Sequence, residues 1–114
     1  MSTPERPELP AKPTLGDLQT DIAALIIERG WEKENVEDVF LLLVEEIGEL
    51  AKEVRKHTGK HVDRTRVKQV THEELEGEFA DVLNYLLDLA NHMNVDLERA
   101  YRNKQIEVAT RKWS

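Results

Sequence analysis

Five carboxylates carry the chemical content of this chain. Glu45, Glu46 and Glu49 spell E-E-x-x-E, and after 28 intervening residues Glu78 and Asp81 spell E-x-x-D. Side chains three or four positions apart share one side of a helix, so each cluster aims its acids in one general direction. Like charges at that spacing weaken a helix by roughly 0.2–0.5 kcal/mol per pair. An all-oxygen, hard donor set is what Mg²⁺ or Mn²⁺ requires, and such an ion would offset the repulsion. The competing reading is an acidic, solvated helix face, which has the same spacing and needs no ligand.

Helices must position these acids. All four prolines lie at or before Pro13, which sets residues 1–13 apart as a disordered or extended tail ahead of a single domain, 14–114. Thr14 with Asp17 is a capping pair that opens a first helix, and Leu15, Leu18, Ile22, Leu25 and Ile26 line one of its faces. Gly30 ends that helix. Asn35 with Asp38 opens a second, running to about His57 with Gly59 as its stop. Thr71 with Glu74 opens a third, running to about Met93, and Asp96 caps a fourth from Leu97 towards Lys112. The expected class is all-α. The polar, basic connection through residues 60–68 is long for a helical hairpin and reads either as a functional loop or as a solvated linker.

Projected at 100° per residue, the second helix carries Val36, Phe40, Leu43, Ile47, Leu50, Ala51 and Val54 as its expected core stripe. Glu46, Glu49 and Glu53 lie on one flank of the stripe, in line with Val39 and Leu42. Residues 39–44 are apolar at every azimuth, and a helix apolar all round is covered all round. The acids therefore stand at the mouth of a covered region. On the third helix Leu75, Phe79, Val82, Leu83, Leu86, Ala90 and Met93 form the stripe. Glu74, Glu78, Asp81, Tyr85, Asp88 and His92 form a polar flank beside it.

Several chemistries are excluded. There are no cysteines, so disulfides, thiolate metal sites and cysteine nucleophiles are out. No histidine has an acid three residues before it, as a di-iron carboxylate bundle demands, and no H-E-x-x-H occurs. P-loop, dinucleotide-binding, G-x-S-x-G and EF-hand signatures are missing as well. With 16 Lys+Arg against 23 Asp+Glu the net charge is −7, which disfavours nucleic acid and acidic membranes as partners. No apolar run reaches the 18 residues of a membrane span and none resembles a secretory leader, so the expected location is cytoplasmic.

The run Val44-Glu45-Glu46-Ile47-Gly48-Glu49-Leu50-Ala51-Lys52-Glu53, followed by Glu78-Phe79-Ala80-Asp81-Val82-Leu83, closely resembles the MazG-like nucleoside triphosphate pyrophosphohydrolases. These belong to the all-α NTP pyrophosphatase superfamily, and the resemblance spans about residues 15–113. It implies a four-helix MazG-like bundle completed by homo-oligomerisation, as a dimer or tetramer. The implied activity is Mg²⁺-dependent hydrolysis of an NTP or dNTP between the α and β phosphates, serving nucleotide-pool sanitation. Carried over by position, Glu46, Glu49, Glu78 and Asp81 would hold the metal, and Glu45 would orient or deprotonate the attacking water.

The C-terminal stretch from Lys104 to Arg111 resembles the family's closing K-x-x-x-N-x-x-R, with Val108 where asparagine is frequent. Lys104 and Arg111 would then contact phosphates; their plain alternative is favourable charge near a helix C-terminus. Trp31, Asn84 and Tyr85 are candidates for the nucleobase, although Trp31 and Tyr85 also suit packing. Two other functions stay open at this point: a selective dUTP or dCTP pyrophosphatase, and a non-catalytic helical oligomerisation module. Independently of the resemblance, four strongly apolar helix faces leave too much uncovered surface for a monomer of this size.

Overall fold

The computed structural model of the protein describes residues 6–59 and 71–111. The basic segment 60–68, Lys112 and the first five residues of the proline-rich tail lie outside them. Among the described residues there are four α-helices and no strand: α1 (Leu15–Arg29), α2 (Val36–Thr58), α3 (His72–His92) and α4 (Leu97–Thr110). The all-α expectation is met, with helix limits within about two residues of those read from the caps.

The caps form as their chemistry dictates. Asp17 N–H donates to Thr14 Oγ1 at 3.0 Å and Thr14 N–H donates to Asp17 Oδ2 at 2.9 Å, a reciprocal capping box. Asn35, Thr71 and Asp96 each accept from the backbone three residues on. Gly30 and Gly59 close α1 and α2 in the left-handed region, at φ 73° and 70°, where a Cβ would be strained.

The chain divides into two compact units, one of residues 1–34 with 87–114 and one of residues 35–86. In the first, α1 packs against α4 around Ile22, Leu87 and Ala90. A polar bracket fixes this unit. Gln19 Nε2 donates to Asn91 Oδ1 at 3.0 Å and to the Val95 carbonyl at 2.8 Å, while Asn91 Nδ2 returns a bond to the Gln19 carbonyl at 2.9 Å. Gln19 Oε1 accepts from Leu97 N–H, so one side chain ties α1 to the α3–α4 turn. Arg6 reaches Asp21 at 3.2 Å from the end of the tail.

The second unit corrects one sequence expectation. On α2 the expected core stripe is largely uncovered: Phe40 is 51 % exposed, and Ile47, Ala51 and Val54 are exposed too. The buried residues are Val39, at 0 % exposure, and Leu43. With Leu42, Glu46, Leu50 and Glu53 half-buried, the covered arc is centred about 80° around the helix from the expected stripe, sharing Leu43 and Leu50 with it. The flank carrying Glu46 and Glu53 is the covered side. On α3, Phe79 (56 % exposed), Leu83 and Leu86 of the expected stripe are exposed as well, and Met93, expected to end that stripe, is exposed just past the helix. The physical reason is that periodicity identifies apolar arcs but does not say whether the same chain covers them.

Candidate functional site

Within the second unit, α2 and α3 bring three of the five motif acids together. Carboxylate oxygens of Glu46, Glu78 and Asp81 all lie within 4.8 Å of one another, near enough that small side-chain adjustments would bring them around one cation. Local structure explains the convergence. Glu46 sits in the covered arc of α2, directly in line with Val39 and Leu50, and Glu78 and Asp81 are one turn apart on α3.

The electrostatics are those of acids held against their preference. Burial raises the Glu46 carboxyl above the ordinary glutamate range, and the charges of Asp81, Glu78, Glu45 and Glu49 add to the rise. Burial is also the largest cause for Glu78, followed by Asp81, Glu49 and Glu53, with Lys56 pulling the other way. Glu78 Oε2 is buried and has no hydrogen-bond partner. A buried carboxylate oxygen without a donor is costly, and a divalent cation is the partner that would satisfy it together with its acidic neighbours. The residues present thus fit an oxygen-liganded Mg²⁺ or Mn²⁺.

The other sequence candidates are placed as follows. Glu49 lies outside the group of three and is exposed, with Lys52 Nζ at 3.9 Å from its Oε2. Its charge nevertheless reaches both Glu46 and Glu78. Glu45 is exposed on α2 beside Glu46. Asn84 is exposed and Tyr85 half-buried on α3. Trp31 is exposed just past α1, where its backbone N–H donates to the Ile26 carbonyl at 2.9 Å. Lys104 Nζ and Arg111 Nη2 converge on one carboxylate, Glu107, at 3.2 and 2.8 Å, an arrangement in keeping with charge pairing near a helix end.

One acid missing from the expected set emerges. Glu53 is almost covered, its Oε1 lies 3.4 Å from Lys56 Nζ, and its Oε2 is buried without a partner. The signal was present in the sequence, since Glu53 continues the Glu46–Glu49 flank, but it falls outside the E-E-x-x-E motif.

Comparison with known proteins identifies the family. Over 94 residues, 82 % of this chain, it is 34 % identical to dCTP pyrophosphatase 1 of Rattus norvegicus, and that alignment takes in 55 % of the rat protein. The chain therefore spans about half the length of that relative. The crystal structure of YPJD from Bacillus subtilis, a pyrophosphatase by assignment, superposes with a TM-score of 0.73 at 28 % identity, covering 90 % of this chain and 100 % of that one. Residues 34–111 match the MazG nucleotide pyrophosphohydrolase domain, a stretch that contains all five motif acids, Lys104 and Arg111 and begins after Trp31. The chain belongs to the MazG nucleotide pyrophosphohydrolase family, hydrolases acting on acid anhydrides, and has its all-α fold.

Proposed function

We propose that this chain hydrolyses a nucleoside triphosphate, NTP or dNTP, to the monophosphate and pyrophosphate. The observation that carries the reading is the convergence of Glu46, Glu78 and Asp81, with an unpartnered buried oxygen on Glu78. These three acids hold Mg²⁺ (or Mn²⁺), and Glu49, one turn from Glu46, joins them as a ligand when its side chain turns from Lys52. When bound, the ion offsets triphosphate charge, polarises the attacked phosphorus and lowers the pKa of its water.

Glu45 orients the attacking water and accepts its proton as the new O–P bond forms at the α phosphate. The bond from that phosphorus to the bridging oxygen breaks, and pyrophosphate leaves. Lys104 and Arg111 contact phosphates after release from Glu107, and Trp31, Asn84 and Tyr85 contact the base. Because the rat relative is named for dCTP, that nucleotide heads the substrate panel, with dUTP beside it.

The active form is a homo-oligomer, a dimer or tetramer. The support is the uncovered apolar surface of the second unit, contributed by Phe40, Val44 and Ile47 from α2 and Phe79, Leu83 and Leu86 from α3. No described helix is long and apolar enough to cross a membrane, in keeping with a cytoplasmic role in nucleotide-pool sanitation. The test is a panel of NTPs and dNTPs with Mg²⁺, read as pyrophosphate released. Release from at least one nucleotide, lost in Asp81→Asn, is expected. No product from any nucleotide would leave a non-catalytic oligomerisation module as the better account.

A further inference from the structure

Asp88 and His92 belong to the first unit and take no part in the chemistry proposed above. Their side chains are 8 % and 18 % exposed, and Asp88 Oδ1 stands 3.4 Å from His92 Nε2. A hydrogen bond between a carboxylate and a charged imidazole closes to about 2.7–2.9 Å, so this pair stands open. Neither side chain makes another polar contact among the described residues. An acid so deeply covered, with no hydrogen bond donated to it, is costly to keep without a further partner.

The separation is that of two ligands on one ion. With Zn–O and Zn–N bonds of about 2.0–2.1 Å, tetrahedral neighbours lie about 3.3 Å apart. Positions i and i+4 of one helix face also present the paired ligands of helical zinc sites. Both side chains line a depression of about 190 Å³ whose apolar lining is Ala23, Ile26 and Ile27 of α1. That volume admits an ion with its water, since one water takes about 30 Å³. Glu32, just past α1, lines the same depression and has no ion-pair partner among the described residues. Asn91 lines it too, but both its Oδ1 and its Nδ2 are committed to Gln19.

We infer that Asp88 Oδ1 and His92 Nε2 bind a transition-metal dication of the zinc type, with Glu32 turning in as third ligand and water as fourth. An imidazole nitrogen among carboxylate oxygens favours Zn²⁺, Ni²⁺ or Cu²⁺ over Mg²⁺, a hard ion that takes oxygen. The ion fastens the turn after α1 to the last turn of α3, within the first unit. It shares no ligand with Glu46, Glu78 and Asp81, and the inference stands whether or not those acids are catalytic.

The test titrates the full chain with Zn²⁺ in excess Mg²⁺, which occupies an oxygen-only centre. Calorimetry reads the affinity and nitrogen–proton NMR of the imidazole rings reads the place. The expected result is a Zn²⁺ site that shifts the His92 ring. His92→Gln and Glu32→Gln should each weaken it at least about tenfold, the lower end of what is lost even with partners outside a ligand set. Glu32 lies outside the helices, so its variant keeps the test decisive if His92→Gln fails to fold. His72 and Glu76 form a second i, i+4 pair, at 3.1 Å but 77 % and 65 % exposed. His72→Gln should leave the Zn²⁺ affinity unchanged. Equal affinity in the parent and His92→Gln, loss in His72→Gln instead, or no Zn²⁺ bound at all overturns the site.

Discussion

The Asp88 carboxylate lies 3.4 Å from Nε2 of His92, one turn further along α3, and Asp88 is only 5 % exposed. The pair lines an open depression of about 190 Å³ with Ile26, Ile27, Glu32 and Asn91. Burial raises the Asp88 carboxyl above the usual aspartate range; His92 opposes this and Glu34 reinforces it.

A pH dependence follows. A carboxyl whose folded pKa is raised binds its proton more tightly in the folded state, so the stability it contributes is complete below the unfolded value near 3.9. That contribution is lost as pH rises through the raised folded value. Glu46 and Glu78 act in the same direction. The metal-free protein should therefore lose stability from mildly acidic to neutral pH, and Asp88→Asn should flatten that fall. Thermal melts between pH 4.5 and 8 in a chelating buffer check both; an unchanged slope in Asp88→Asn would show that its charge is compensated in the fold.

Divalent cation binds the deprotonated acids, so Mg²⁺ should raise the melting temperature more at pH 8 than at pH 5. In chelator, Glu49→Gln should be more stable than the parent by a few tenths of a kcal/mol, from relief of like-charge repulsion. Its turnover should fall by more than the roughly 10–100-fold typical of losing an outer-shell partner. Destabilisation of metal-free Glu49→Gln would reveal a structural role for that carboxylate.

Glu45→Gln separates the base from the ligands. It should leave Mn²⁺ affinity intact and lower kcat by about 10²–10⁴-fold, the usual worth of a general base. Weakened Mn²⁺ binding would move Glu45 into the ligand set.

Gln19 is the point where one substitution should unfasten the first unit. Gln19→Ala leaves Leu97 N–H and Asn91 Oδ1 without their partners. About 1–3 kcal/mol of stability should be lost, measured by urea denaturation, because groups left unpaired keep their desolvation cost.

Phe79 lies on the uncovered apolar surface of α3. Phe79→Asp should shift the protein from oligomer to monomer in light scattering coupled to size exclusion, with helix content retained. A parent protein already monomeric at micromolar concentration would remove the proposed interface.

Helix existence and limits were legible because caps are local chemistry. Thr14 with Asp17, Asn35 with Asp38, and glycines 30 and 59 announce themselves within four residues of the ends they set. The pairing of Glu46 with Glu78 and Asp81 was legible through motif spacing and family resemblance together, neither of which carries a distance. Glu53 was overlooked because it lies outside the motif, and its burial is a consequence of rotation about the α2 axis.

The sequence by itself determined four helices, an acidic donor set with no thiolate to compete, and the family. Those follow from short-range hydrogen bonding, helical periodicity and residue chemistry. Only the tertiary structure decided which arc of α2 is covered, that Glu46, Glu78 and Asp81 meet within 4.8 Å while Glu49 leans towards Lys52, and that Glu53 and Glu78 each keep an unpartnered oxygen. An apolar or acidic stripe states what a surface would exchange with water. What it meets instead depends on how helices distant in sequence turn towards one another.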